Sequence, residues 1–155
     1  MMIESILVCL DGTDLSECIL PLAAEIAERF GSKMVLLNVL VVPVRLSGVG
    51  KAEIVVKQSS RVSEREVEVD NYLERIAEPL RKRGLNVECV AIEGSVEESI
   101  IAYAMTYQVG LIAMASHGRR GLTRPISGSS TESVLRKSSI PVLAVCPGKT
   151  VREEA

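Results

Sequence analysis

The chain has no tryptophan, one phenylalanine and three tyrosines in 155 residues. The aromatic platforms on which single-stranded nucleic acid or a flavin would stack are therefore nearly absent. Neither charge sign dominates: 18 Lys plus Arg stand against 20 Asp plus Glu, a formal net charge of −2. Such a balance gives no electrostatic footprint for nucleic acid, and an anionic ligand has to be held by local groups. Histidine occurs once, as His117, and the four cysteines, Cys9, Cys18, Cys89 and Cys146, lie far apart with no C-x-x-C. That spacing speaks against a zinc site or a disulfide framework. Three of the cysteines sit inside apolar runs and read as small buried hydrophobes in a reducing cytosol.

The N-terminus lacks the basic stretch of a signal peptide, so none is expected. The longest uncharged window, 99–118, carries Thr106, Gln108, Gly110, Ser116 and His117. It reads as a helix followed by a buried strand rather than a membrane span. These features place the chain in the cytoplasm, with neither nucleic acid nor a membrane as partner. What is present is 47% apolar and 25% charged residues, enough for one domain over 1–155 with an aliphatic core, ending in a polar tail at 148–155.

Hydrophobic patterning gives the order of elements. Short apolar runs at 5–10, 33–39, 111–115 and 141–146 read as strands buried on both faces, and 86–93 alternates in part, as an edge strand does. Between them, Ile19, Leu22, Ala23, Ile26, Ala27 and Phe30 share one helical face, as do Val69, Tyr72, Leu73, Ile76, Ala77 and Leu80. The sequences Ser95-Val96-Glu97-Glu98 and Ser129-Ser130-Thr131-Glu132 are capping boxes for two more helices, the first carrying Val96, Ile100, Tyr103, Ala104 and Tyr107 on one face. The segment 40–60 has no period and reads as a long loop. Strand and helix alternate throughout, which predicts an α/β, doubly wound, five-stranded parallel sheet with helices on both faces.

In such sheets ligands bind beyond the carboxyl ends of the strands. There the sequence puts Asp11-Gly12-Thr13-Asp14, Glu93-Gly94 and the loop after Ala115, which holds glycines at 118, 121 and 128 and arginines at 119, 120 and 124. Glycines let backbone N–H groups approach an anion, and a helix start after Gly128 adds the positive end of a dipole. This is phosphate-cradle chemistry, although an exposed connection has the same composition. Gly148-Lys149-Thr150 is no P-loop, because Leu143 stands where the first glycine is required. No G-x-S-x-G or nucleophile accompanies His117, so no catalytic residue and no metal site is assigned.

Met114-Ala115-Ser116-His117-Gly118, nine residues, then Gly128-Ser129-Ser130-Thr131-Glu132 and Ile140-Pro141-Val142-Leu143-Ala144-Val145 resemble the C-terminal signature of the universal stress protein family. Ile6-Leu7-Val8 with Asp11-Gly12-Thr13 and Ser16, and Leu37-Asn38-Val39, are similar to its N-terminal half. The resemblance implies strand order 3-2-1-4-5, ATP as ligand with or without a magnesium ion, and a homodimer formed through the last strand, 141–146. It further implies that Asp11 and Thr13 line the adenosine side and Val39 flanks the adenine. Gly118, Gly128, Ser129 and Ser130 would hold ribose and phosphates, with Gly12, Met114, Ala115, His117, Arg119 and Thr131 completing the site. The family's nucleotide-binding pattern, G-x-x-G, nine residues, G-[ST], falls here on Ala115, Gly118, Gly128 and Ser129, so alanine replaces the first glycine. The implied function is an ATP-binding regulatory or protective module of the stress response. A nucleotide-independent dimeric scaffold, motivated by Ala115, and a slow ATPase stay open beside it.

Overall fold

The computed structural model describes residues 2–41, 59–116 and 130–146. Five strands, β1 (Ser5–Cys9), β2 (Lys33–Leu40), β3 (Val87–Glu93), β4 (Leu111–Ala115) and β5 (Val142–Val145), form one sheet in the order β3-β2-β1-β4-β5. All neighbouring pairs are parallel, as the alternating pattern and the family resemblance lead one to expect. The helices are α1 (Asp14–Glu17), α2 (Leu20–Phe30), α3 (Ser59–Lys82), α4 (Val96–Thr106) and α5 (Ser130–Lys137).

Because strand side chains alternate, each central strand feeds two cores. Ile6, Val8, Met34, Leu36 and Ala113 meet Ala23 and Ala27 of α2 and Leu73 and Ala77 of α3. On the opposite face Leu7, Val35, Leu37, Ile112 and Met114 meet Ile100 and Ala104 of α4 and Val134 of α5. Two helices on each face thus explain why four of the five strands read as continuous apolar runs.

Several element boundaries differ from the sequence reading, for identifiable reasons. The chain after β1 forms a separate short helix, α1, and α2 starts at Leu20 with Pro21 in its first turn, where the missing N–H costs nothing. Helix α3 begins at Ser59, within the segment read as a loop, and extends ten residues ahead of the apolar spacing that starts at Val69. Residues 64–68 are all exposed, so that turn of helix has no buried face to leave a period in the sequence. The rest of that loop, 42–58, lies outside the described residues, as does the tail 148–155. Ser95 occupies the N-cap of α4 in extended geometry, but its hydroxyl makes no cap bond, so the capping box there is not closed. Tyr107, expected on the buried face of α4, follows the helix end and is exposed, stacking on Tyr103 with ring centroids 4.3 Å apart.

Candidate functional site

The strand order reverses direction between β1 and β4, and the register places Cys9 beside both Leu37 and Met114. The chain segments that leave these three strands therefore emerge side by side, at the crevice where open α/β sheets bind ligands.

The segment after β1 is held from three directions. Leu10 N–H donates to the Leu37 carbonyl at 2.9 Å, and the buried Asn38 amide donates from β2 to the Leu10 carbonyl at 2.8 Å. Gly12 has φ +88°, a backbone state that side chains rarely adopt, and it turns the chain toward α1. Asp11 Oδ1 accepts from Thr13 N–H at 2.9 Å and from its hydroxyl at 2.5 Å. Thr13 is the N-cap of α1, its Oγ1 accepting from Ser16 N–H at 3.2 Å. The buried Ser16 hydroxyl donates to the Thr13 carbonyl and accepts from Asp11 N–H, which closes the turn. An exposed carboxylate is thereby fixed at the mouth of the crevice.

From α3 the Tyr72 hydroxyl donates to Glu17 Oε1 at 3.0 Å and braces α1 from the far side. Burial, and then the Glu17 carboxylate, push the Tyr72 phenol well above its ordinary value, so it stays a donor at every physiological pH. Nothing in the sequence announces this brace, since Tyr72 reads there as one more position on an apolar helical face.

Across the crevice, β4 ends in buried Met114 and half-buried Ala115, and Ser116 N–H donates to the Val145 carbonyl at 2.8 Å. Helix α5 begins with exposed Ser130, and the buried Thr131 hydroxyl donates to the Ala115 carbonyl at 3.2 Å. Thr131, expected among ligand contacts, thus ties the start of α5 to the end of β4. That tie sets the N-terminal end of the helix at the crevice. Val39, half-buried on β2, packs against the core shared with α4 and α5, as Cys9 does. Burial pushes the Cys9 thiol up to about 12, which makes it a packing residue rather than a nucleophile. Cys18 and Cys89 are likewise half-buried and Cys146 is exposed.

Asp11, Gly12, Thr13, Val39, Met114, Ala115, Ser130 and Thr131 are thus gathered at the carboxyl ends of β1, β2 and β4. His117, Gly118, Arg119, Gly128 and Ser129 lie outside the described residues. Asn38 and Ser16, which hold the Asp11 turn, are absent from the predicted set; the signal for Asn38 is a lone amide in the apolar run K-M-V-L-L-N-V-L. Among the described residues no cluster of three metal-ligating side chains occurs, and no helix is long and apolar enough to cross a membrane.

Comparison with known proteins agrees with this architecture. Universal stress protein MJ0577 of Methanocaldococcus jannaschii is 37% identical over 78 residues, 50% of this chain and 48% of that protein, so the match spans about half its length. A universal stress protein solved in complex with cAMP superposes with a TM-score of 0.72 at 16% identity, covering 96% of this chain and all of that one. A family member from Arabidopsis thaliana with AMP bound gives 0.68 at 13% identity over 94% of this chain and 92% of its own. At those identities the superpositions speak to the fold. The family model for the universal stress proteins matches residues 2–145, and the chain belongs to the universal stress protein family.

Proposed function

We propose that this protein binds an adenine nucleotide, ATP with or without a magnesium ion, at the crevice between β1 and β4, and acts in the cytoplasm as a regulatory or protective module. The observation that carries the reading is the convergence of a fixed, exposed Asp11 carboxylate with the N-terminal end of α5, one on each side of the crevice. A carboxylate accepts hydrogen bonds from adenosine's hydroxyl and amino groups, whereas a helix N-terminus attracts phosphate. Relatives of the same fold carry AMP and cAMP. Asp11 and Thr13 serve the adenosine, with Val39 against the base. Gly118, Gly128, Ser129 and Ser130 serve ribose and phosphates.

Slow ATP hydrolysis is a further reading, tested by turnover of labelled ATP above an Asp11→Ala control. The chain pairs with a second copy through β5, an outer strand of the sheet, where Val142-Leu143-Ala144-Val145 carries no charge to discourage pairing. A nucleotide-independent dimeric scaffold is favoured by one observation, the methyl group of Ala115 at the pattern's first glycine.

Native mass spectrometry of freshly purified protein, followed by titration calorimetry with ATP, AMP and cAMP, tests the proposal. Co-purified nucleotide, or ATP binding that Gly128→Val abolishes in a folded protein, supports it, because a branched side chain would fill the anion's space. Ala115→Gly should bind equally or more tightly. Unchanged affinity of the valine variant would move the site elsewhere, and a stable dimer that binds no nucleotide would favour the scaffold.

A further inference from the structure

The two outer strands of the sheet are not equivalent. In a parallel ladder a strand turns the N–H and C=O of alternate residues to its neighbour and those of the intervening residues outward. Met34 N–H donates to the Asn86 carbonyl at 2.8 Å, with Met34 registered against Val87. The N–H and C=O of Val87, Cys89 and Ala91 therefore face the outer edge of β3, away from β2. That edge is not bare at its start. Arg81, at the end of α3, donates through Nε at 3.1 Å and Nη2 at 2.9 Å to the Val87 carbonyl. Its Nη1 is held by Glu74 Oε2 at 2.5 Å, and Nη2 lies 3.9 Å from Cys89 Sγ. The Glu74 carboxylate raises the Arg81 pKa further, and the guanidinium is charged at any accessible pH. An incoming strand would have to displace this cation from the carbonyl it needs.

On the opposite edge, Ile112 N–H donates to the Pro141 carbonyl at 2.9 Å and Ser116 N–H to that of Val145 at 2.8 Å. Val142 and Ala144 therefore present their backbone groups outward from β5. A sheet that could pair about two-fold axes at both edges would grow into a linear array, whereas one open edge closes a pair. We propose that the Arg81–Glu74 pair is a guard on the β3 edge, which confines self-association to β5 and limits it to two copies. The inference rests on β5 pairing for the wild-type state, but the guard itself is read separately.

Sedimentation velocity over a hundredfold concentration range compares four proteins, with circular dichroism to verify folding. Wild type should run as two copies and Ala144→Lys as one, since a lysine on an open edge deters pairing. Arg81→Met, which keeps the stem and removes the donors, should assemble beyond two copies as concentration rises. Arg81→Met combined with Ala144→Lys should return to two copies, now through β3. Glu74→Gln, which loosens the guanidinium while keeping the size of the side chain, should shift the same way to a smaller extent and serves if the methionine variant does not fold. A wild-type monomer would overturn β5 pairing alone, for Arg81→Met would still move from one copy to two. Arg81 and Glu74 variants that sediment as wild type, whatever their melting temperatures, would overturn the guard and leave Arg81 as a brace on the α3–β3 connection.

Discussion

Asn38 is a polar side chain set among the apolar residues of β2, only 7% exposed, and its amide donates to the carbonyl that precedes Asp11. A buried amide in such a position is costly unless satisfied, and here it also fixes where β1 stops and the turn begins. Asn38→Leu keeps the branched shape and removes the donor from the Leu10 carbonyl. The expected cost is about 1–3 kcal/mol in urea unfolding, since a buried acceptor loses its partner. ATP affinity should fall as well, although Asn38 itself is not placed at the ligand, because the Asp11 turn loses its tie to β2. Calorimetry that shows full affinity in the leucine variant would mean that Ser16 and Tyr72 hold the turn by themselves. At this scale the sequence discloses chemistry more readily than support. Asp11, Thr13 and Ser130 stand out by type and place, whereas Glu17 and Tyr72 meet across 55 positions of chain and share no local motif.

Helices α4 and α5 lie on the same face of the sheet, and Lys137 joins them through Glu97 at 2.5 Å. The ammonium lowers the Glu97 pKa from its ordinary 4.5, chiefly by hydrogen bonding, and the carboxylate in turn raises that of Lys137. A depressed carboxyl pKa contributes stability above 4.5, which is lost as pH falls through the folded value. The raised lysine pKa contributes below 10.5 and is lost as pH rises through its folded value. Lys137 is largely solvated, so the effect is small and screened by salt. Glu97→Gln should narrow the melting-temperature difference between wild type and variant as pH drops from 6 toward 3, and added salt should shrink that difference at pH 6. A gap that persists at pH 3 would show that the side chain acts by packing instead.

The same elements show how far periodicity reaches. The five strands and the buried faces of α2, α3 and α4 are legible because a sheet covered on both faces forces apolar runs and 3.6-residue spacing. Residues 64–68 of α3 are not, since an exposed turn leaves no stripe, and neither is α1, which is 4 residues long. Strand order is also beyond periodicity, because any permutation of buried parallel strands has the same pattern; it came from the family resemblance.

For the whole molecule the consequence of this architecture is a pair of cores separated by one layer of backbone. Leu73 of α3 and Ile100 of α4 are both fully buried, on opposite faces. Truncating either leaves a cavity that its own face must absorb. Leu73→Ala is expected to cost about 2–5 kcal/mol and Ile100→Val about 0.5–1.5 kcal/mol. Every central strand belongs to both cores, so the protein should still unfold in one transition, with either variant lowering the single midpoint rather than splitting it. The side chains share no partner, however, and a rigid sheet stands between their cavities. Their effects should therefore add to within about 0.5 kcal/mol in a double-mutant cycle followed by urea unfolding. An interaction energy well above that would mean that the sheet flexes enough to carry strain from one core to the other. The crevice at the carboxyl ends of β1 and β4 draws its residues from both layers, with the Asp11 turn braced by Tyr72 of α3 and the Ala115 end tied to α5. Additive cores would then mean that the two walls of the crevice can be loosened independently, and coupled cores that they move as one.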